Sequence, residues 1–278
     1  MTILVFAGIL FLGAMAAGLL GSLTGLGGGV VLIPLLTLVF KVDIHYAIGT
    51  SLISVIATSS GAAAAYVREG ITNIRLGMFL ELATTLGAIG GAWLAASLST
   101  SFIAILFGVI LILSAIVSFT KLSDPVSTGN GSPLSRLLRL NSSYPTPEGV
   151  KPYVVKNVVG GFLMMNVAGV ISGLLGIGSG ALKVIAMDNI MRIPFKVSTT
   201  TSNFMIGVTA AASVGIYLQK GYIDPGLSMP VMLGVLLGAF IGSRILARAR
   251  VASLKILFAA VILVLAIEMM YNGFTHNI

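Results

Sequence analysis

The sequence predicts an all-α polytopic membrane protein built from two inverted repeats of five hydrophobic segments each. Two features of the chain lead to this prediction. Of the 278 residues, 57% are hydrophobic and only 9% are charged, whereas a soluble domain carries about 25% charged residues. In addition, the glycine-rich stretch at 17–29 recurs at 168–180, and the offset of 151 residues then holds without a gap to the end of each half.

Each half contains five apolar segments separated by polar or glycine-rich breaks. In the first half the segments lie at about 3–23, 30–40, 46–67, 76–98 and 101–120. In the second half they lie at about 156–174, 181–191, 197–218, 227–247 and 252–272. The second segment of each half is short, since eleven residues rise only about 17 Å, against a hydrocarbon core of about 30 Å. It therefore predicts a broken, re-entrant half-helix after each glycine-rich break.

The segments divide the chain into three parts. We expect an N-terminal transmembrane repeat at 1–120, a polar, basic linker at 121–155 and a C-terminal transmembrane repeat at 156–278. The linker is rich in Pro, Ser, Gly and Asn, and a short surface helix is expected within it at Leu134–Leu140. The apolar N-terminus lacks the basic start and cleavage site of a removable signal, so it predicts the first membrane helix.

The basic residues of the loops alternate with opposite phase in the two halves. The loop after the third segment carries two arginines in the first half, whereas its counterpart carries Lys220 and Asp224. The loop at 98–101 is uncharged, whereas its counterpart at 244–255 carries three arginines and a lysine. By the positive-inside tendency, the halves have opposite orientations, the linker is cytoplasmic and both termini lie outside.

Composition also excludes several classes of function. The net charge of +8 comes mainly from Lys and Arg in loops, where these residues set membrane orientation, so no nucleic-acid partner is predicted. Cysteine is absent, which excludes disulfides and thiolate chemistry. No HExxH, GxSxG or metal-ligand pattern is present. We therefore expect neither an enzyme nor a bound cofactor or metal.

The two glycine-rich breaks are the first candidates for a binding site. A helix N-terminus offers unpaired N–H groups and about half a positive charge, so two such ends meeting near the midplane would form an anion site. Close helix packing is the alternative, but two runs in register, each before a short helix, favour the site. The residues assigned to it are Gly27, Gly28, Gly29, Gly178, Ser179 and Gly180.

A second paired feature lies near the start of the third segment of each half. Thr50 and Ser51 recur as Thr201 and Ser202, which Asn203 follows. Their hydroxyl and amide groups can donate hydrogen bonds to an oxyanion. Helix capping and interhelical hydrogen bonding are the structural alternatives.

Lys183 lies three residues into the second half-helix, where the first half has Leu32. A cation at the centre of a membrane costs roughly 3 kcal/mol on insertion scales, so it usually has a partner or a task. An anionic substrate and Asp188 are the two partners considered, and snorkelling toward an interface is the alternative. Asp188 and Arg192 are four residues apart and are expected to pair.

Three further charged residues are weaker candidates. Glu81 and Arg244 are expected near segment ends, facing headgroups. Glu268 replaces Val117 of the first half and lies deeper in its segment, where it could relay protons or have a structural partner.

The duplicated breaks resemble those of the TauE/SafE family of sulfite exporters. The resemblance rests on Gly25–Gly29 followed by Pro34, on Gly176–Gly180 and on the polar central linker, and it covers essentially the whole chain. It implies a multi-pass transporter of the bacterial inner membrane that moves sulfite, thiosulfate, a sulfonate or a similar anion. The second motif departs from the first, with Ser179 in place of Gly28.

These inferences lead to one expected function. The sequence predicts a secondary transporter that holds a small anion near the midplane and works by alternating access in the lipid bilayer. The glycine breaks, the paired hydroxyls and Lys183 would form the site. An anion channel and a non-transport membrane scaffold are the alternatives, and a homodimer is an assembly that the sequence allows.

Overall fold

The computed structural model describes residues 3–24, 28–68, 70–119, 131–146, 149–246 and 251–275. The helices of the first half are α1 (Ile3–Thr24), α2 (Gly29–Pro34), α3 (Ile44–Arg68), α4 (Ile74–Ala95) and α5 (Thr100–Phe119). A short helix α6 (Pro133–Leu137) and strands β1 (Ser142–Thr146) and β2 (Gly149–Tyr153) follow. The helices of the second half are α7 (Val158–Leu175), α8 (Gly180–Ile185), α9 (Phe195–Gln219), α10 (Pro225–Leu246) and α11 (Val251–Phe274).

The described chain is an all-α membrane protein apart from one hairpin. Four of its described helical stretches are long and apolar enough to cross a bilayer: Ile74–Ala95, Val158–Leu175, Phe195–Gln219 and Pro225–Gly242. Between a third and two thirds of each such stretch is buried inside the protein, and the rest presents large apolar side chains outward. That division suits helices that pack on one face and meet lipid on the other.

The helix ends have local causes in the sequence. Asn73 begins α4, because its side chain accepts a hydrogen bond from Leu76 N at 3.0 Å. Asn157 begins α7 in the same way, accepting from Gly160 N at 3.2 Å. Gly176 ends α7 in the left-handed region, with φ of +66°, a conformation that glycine adopts at little cost.

Each half contains one short helical element at the position expected for a half-helix. α2 continues as a π-helical segment at Leu35–Val39, and α8 continues in the same way at Ala186–Ile190. The two ranges of the second half lie 151 residues after the two ranges of the first half. Pro34 precedes the first π-helical segment, but Ile185 takes its place in the second, so proline alone does not cause the change of helix type.

The helices of the two halves are paired across the molecule through glycines. α1 packs on α10, and α7, its counterpart, packs on α4. A Cβ added at Gly18 would overlap the carbonyl of Val235, and one added at Gly169 would overlap the carbonyl of Thr84. Gly169 lies 151 residues after Gly18, and Thr84 lies 151 residues before Val235, so the two contacts occupy equivalent positions in the two halves. Glycine therefore allows the same close backbone approach at two places in the fold.

The linker is more structured than the sequence suggested. α6 starts one residue before the expected helix and ends three residues before its expected end, and the hairpin of β1 and β2 was not predicted. Tyr153 is buried, and its hydroxyl accepts a hydrogen bond from Asn73 Nδ2 at 2.8 Å. The same amide group donates to the carbonyl of Leu140 at 2.9 Å. Burial raises the pKa of Tyr153 to about 12, so the phenol is neutral, and the linker is docked on the N-terminal end of α4.

Candidate functional site

The second break turns sharply between α7 and α8. Gly176, Gly178 and Ser179 all have left-handed backbone conformations, with φ values of +66°, +72° and +47°. Ser179 adopts this conformation without glycine's freedom, which is uncommon for a residue with a Cβ. Its side chain is 3% exposed, and its hydroxyl has no hydrogen-bond partner. Since buried polar groups are usually paired, this hydroxyl has a hydrogen bond left to donate to a small molecule beside it.

A narrow recess lies beside this hydroxyl. Its lining comes from both halves: Val30 of α2, Ile110 and Ser114 of α5, and Ile177, Ser179, Gly180, Ala181 and Leu182 around the second break. It has room for about one water-sized molecule. The structure thus brings residues near the first break into contact with the same recess as the second break.

The first break is described only from Gly28 onward, and Gly27 lies outside the described residues. A Cβ added at Gly28 would lie 3.0 Å from Cγ1 of Val235. A Cβ added at Gly29 would lie 3.0 Å from the carbonyl oxygen of Gly176 and close to Ser51 Oγ. These contacts agree with the close-packing alternative for the two glycines, and their role in binding stays a prediction.

Two of the four paired hydroxyls hold the second break in place. Ser51 Oγ donates to the carbonyl of Gly176 at 2.9 Å, and Ser202 Oγ donates to the carbonyl of Gly180 at 3.2 Å. A serine hydroxyl has one proton to donate, so neither serine can also donate to an anion in this conformation. The remaining members of the set are Thr50, which lies 3.3 Å from Ser228 Oγ, Thr201, which accepts from Asn73 N at 3.2 Å, and half-buried Asn203.

Lys183 is fully buried, and its side-chain contacts lead to a residue that was not predicted as its partner. Its Nζ donates to Thr209 Oγ1 at 2.6 Å, and Thr209 Oγ1 lies 2.7 Å from Glu81 Oε1. The counter-charge of Lys183 is therefore Glu81, one hydroxyl away, in place of Asp188. Snorkelling is also wrong, because the ammonium is enclosed by protein and does not reach an interface.

Glu81 was misplaced by the sequence argument. It is the eighth residue of α4 and is only 7% exposed, so it does not face headgroups. Its Oε1 also accepts from Thr85 Oγ1 at 3.3 Å, whereas its Oε2 is buried without a hydrogen-bond partner. Glu268 is exposed on α11, and the side chain of Arg244 lies outside the described residues.

The charged pair occurs once, although its surroundings are duplicated. The counterparts of Lys183 and Glu81, 151 residues earlier and later, are Leu32 and Met232. The counterpart of Thr209 is Thr58, whose hydroxyl donates to its own helix at Ser54. The ammonium and the carboxylate thus occur together at one position of the repeat and are both replaced by apolar residues at the equivalent position. This joint replacement was visible in the sequence and could have singled out Glu81.

Comparisons with known proteins show which family this chain is similar to. Residues 10–269 match the family model described as "Sulfite exporter TauE/SafE". The chain is 25% identical to the probable membrane transporter protein YunE of Bacillus subtilis over 95% of this chain and 97% of the relative. It is 28% identical to YdhB of the same organism over 82% and 85% of the two chains, and 29% identical to YjnA over 94% and 98%. Both are also described as probable membrane transporter proteins. No solved structure matches this chain significantly.

Proposed function

We propose that this chain carries a small sulfur-containing anion by alternating access. The chain belongs to the TauE/SafE family and is therefore a membrane transporter and not an enzyme. The family description names sulfite. Thiosulfate and sulfonates share its compact, oxygen-rich and negatively charged form, so the proposal covers the class and not one member.

The unpaired, buried hydroxyl of Ser179 is the observation that carries this proposal. In this conformation the recess holds only about one water-sized molecule, so an oxyanion would enter as the recess widens during transport. There it would accept a hydrogen bond from the Ser179 hydroxyl, which would satisfy a donor that otherwise has none. Lys183 lies one helical turn further along, since its backbone N–H donates to the carbonyl of Ser179 at 3.1 Å. The remaining residues that we propose for the site are Gly27, Gly28, Gly29, Thr50, Ser51, Gly178, Gly180, Thr201, Ser202 and Asn203.

Two inverted repeats of five segments each are the architecture we propose around the site. The end of the first half-helix lies near His45, whose Nε2 is 3.2 Å from the carbonyl of Ala95 and whose ring stacks on Tyr222. The equivalent end of the second half-helix lies at the linker, where the carbonyl of Met191 accepts from Lys156 N at 3.0 Å. Equivalent ends in contact with different loops support opposite orientations of the two halves, which could rock around a shared site.

The charges of the described loops support a cytoplasmic linker. The end of the molecule near the linker carries a basic set: Arg75, Arg136, Arg139, Lys151, Lys156, Arg192 and Lys196. Around the other end, Lys41 and Lys220 are accompanied by Asp43 and Asp224. A hydrogen bond from His45 lowers the pKa of Asp43, which keeps that carboxylate ionised. By the positive-inside tendency, the linker end faces the cytoplasm of a bacterial cell.

The same proposal keeps the division of the chain into repeats at 1–120 and 156–278 around a linker at 121–155. We also propose that the protein forms a homodimer in the inner membrane.

Flux measured in proteoliposomes tests the transport proposal. Purified protein would be loaded with sulfite, thiosulfate or methanesulfonate and assayed for exchange of the labelled anion, with chloride and phosphate as comparisons. We expect saturable exchange of at least one sulfur anion that exceeds exchange of the comparison anions. Currents that do not saturate and exceed carrier rates would indicate a channel, and no flux of any anion would favour a scaffold.

A further inference from the structure

A carboxylate and an ammonium are buried together beside the second break, although the site proposed for the anion needs only positive charge. Three elements contribute to this charged triad: Glu81 from α4, Lys183 from α8 and Thr209 from α9. The Thr209 hydroxyl accepts from the ammonium, and its single proton can go to Glu81 Oε1 at 2.7 Å or to the carbonyl of Met205 at 2.9 Å. Glu81 Oε2 is buried and accepts no hydrogen bond.

The other charged groups on the packed elements are distant along their helices. α7, which packs on α4, and α5, which packs on α8, contain no ionisable residue. On α9, Lys196 and Tyr217 are 13 and 8 residues from Thr209, or about 20 and 12 Å of helical rise. Arg75 lies six residues before Glu81 and donates to the carbonyl of Arg139, and Asp188 lies five residues beyond Lys183. Glu81 and Lys183 are each other's electrostatic partners.

An anion beside Ser179 would upset this balance. Glu81 already offsets the one ammonium, so the anion would add an uncompensated negative charge to a buried site. A proton on Glu81 would remove that excess, because Lys183 would then face one negative partner, the anion. The bare Oε2 is the atom that could take the proton without displacing the hydrogen bonds at Oε1.

We propose that Glu81 is a proton-binding site through which this transporter couples the anion to a proton. This inference rests on the proposed function. A hydronium ion transfers its proton to Glu81 Oε2 as the anion binds at the break: the hydronium O–H bond breaks, the O–H bond of the carboxylic acid forms, and water is left. The neutral acid, the ammonium and the anion change access together, and the proton leaves when the anion leaves. Proton and anion therefore cross in the same direction.

The counterpart position argues against a purely structural pair. There, Leu32 and Met232 occupy the places of the ammonium and the carboxylate, and Leu32 is fully buried. The fold thus accepts an apolar pair in a closely equivalent setting. Since a buried ion pair is often no more stabilising than an apolar pair of similar volume, its presence at one site alone points to a task.

The test separates exchange from proton-driven accumulation. Wild type, Glu81→Gln and Asp224→Asn would be reconstituted, the last as a control on an exposed loop carboxylate. The probe is whichever of thiosulfate or methanesulfonate exchanges faster in wild type, because neither changes its charge over the neutral pH range. Exchange is measured at equal pH, and accumulation is measured under a pH gradient with the membrane potential clamped at zero.

We expect wild type and Asp224→Asn to accumulate the anion about tenfold per pH unit, the limit for one proton per anion. Glu81→Gln should still exchange but should not accumulate, because its amide cannot carry the proton. Accumulation by Glu81→Gln at the wild-type level would overturn the proposal, as would wild-type exchange without any proton-driven accumulation. Absence of exchange of every sulfur anion in wild type would instead refute the proposed function.

Two further measurements apply if Glu81→Gln does not fold. The double variant Glu81→Met with Lys183→Leu copies the counterpart pair, and proton-driven accumulation by it would overturn the proposal. In wild-type protein in weakly buffered detergent, adding the same probe should take up about one proton per anion bound, read with a pH indicator. Binding of the anion without proton uptake would overturn the proposal that the anion is coupled to a proton.

Discussion

Replacing Lys183 alone should destabilise the protein far more than replacing Lys183 and Glu81 together. Lys183 is 0% exposed and Glu81 is 7% exposed, so either one left alone is a buried charge without its counter-charge. Breaking such a pair costs about 3–5 kcal/mol, whereas an apolar pair of similar volume is often neutral. The variants are Lys183→Leu, Glu81→Met and the double variant, which takes its residues from Leu32 and Met232.

The assay is the fraction of protein that survives heating in detergent and still elutes as a folded peak. For a protein of this size 1 kcal/mol shifts Tm by about 2–4 °C, so each single substitution should lower Tm by roughly 6–20 °C. The double variant should recover most of that loss, giving a large coupling energy. Lys220→Leu, on an exposed loop cation, is the control and should leave Tm unchanged. Single losses that add up in the double variant would refute the pairing of Glu81 with Lys183.

Three other predictions follow from the same geometry. Ser179→Ala should raise the half-saturating anion concentration for exchange about 10- to 100-fold, since a hydrogen bond to a charged group is lost; unchanged affinity would place the anion elsewhere. In this cysteine-free chain, Val150→Cys should be shielded from an impermeant thiol reagent in intact cells and Lys220→Cys labelled, and matching behaviour of the two would contradict inverted repeats. Gly173→Ala should lower Tm by several degrees because its Cβ meets the backbone of α4, whereas Gly90→Ala, with open space around it, should not; equal Tm values would disprove that packing.

The sequence carried most of the helical layout but little of the linker. Repetition at an offset of 151 residues located the short helices α2 and α8 because interrupted helices leave glycine runs and short apolar stretches. The hairpin was missed because its strands are short and polar, and each contains a proline, which normally argues against a strand. The hairpin is held in place by tertiary contacts, in particular by buried Tyr153 and its hydrogen bond with Asn73. No local sequence pattern reveals such contacts.

The predicted site was only partly accessible to sequence reasoning. Hydroxyls in register suggested donors for an anion, yet Ser51 and Ser202 donate their protons to backbone carbonyls. Which acceptor a serine finds depends on the path of another segment and cannot be read from spacing. Glu81 was undervalued because its place along α4 was counted from a segment end. Comparing the two halves was the better signal, since Lys183 and Glu81 are jointly absent from the counterpart positions.

The packing of α4 connects the charged triad with the movement that alternating access requires. α4 belongs to the first half but packs on α7 and α9 of the second half, so the moving body combines helices of both halves. Close glycine contacts join α4 to α7, so these helices should move as one body, whereas Glu81 reaches from α4 to Thr209 on α9. Rocking that separates α4 from α9 would break the contact between Glu81 Oε1 and Thr209 and would strand a carboxylate in an apolar setting. Such a separation costs much less for a neutral acid than for a buried charge. A proton on Glu81 would therefore ease the same movement that carries the anion across, whereas an unprotonated carboxylate would hold α4 against α9.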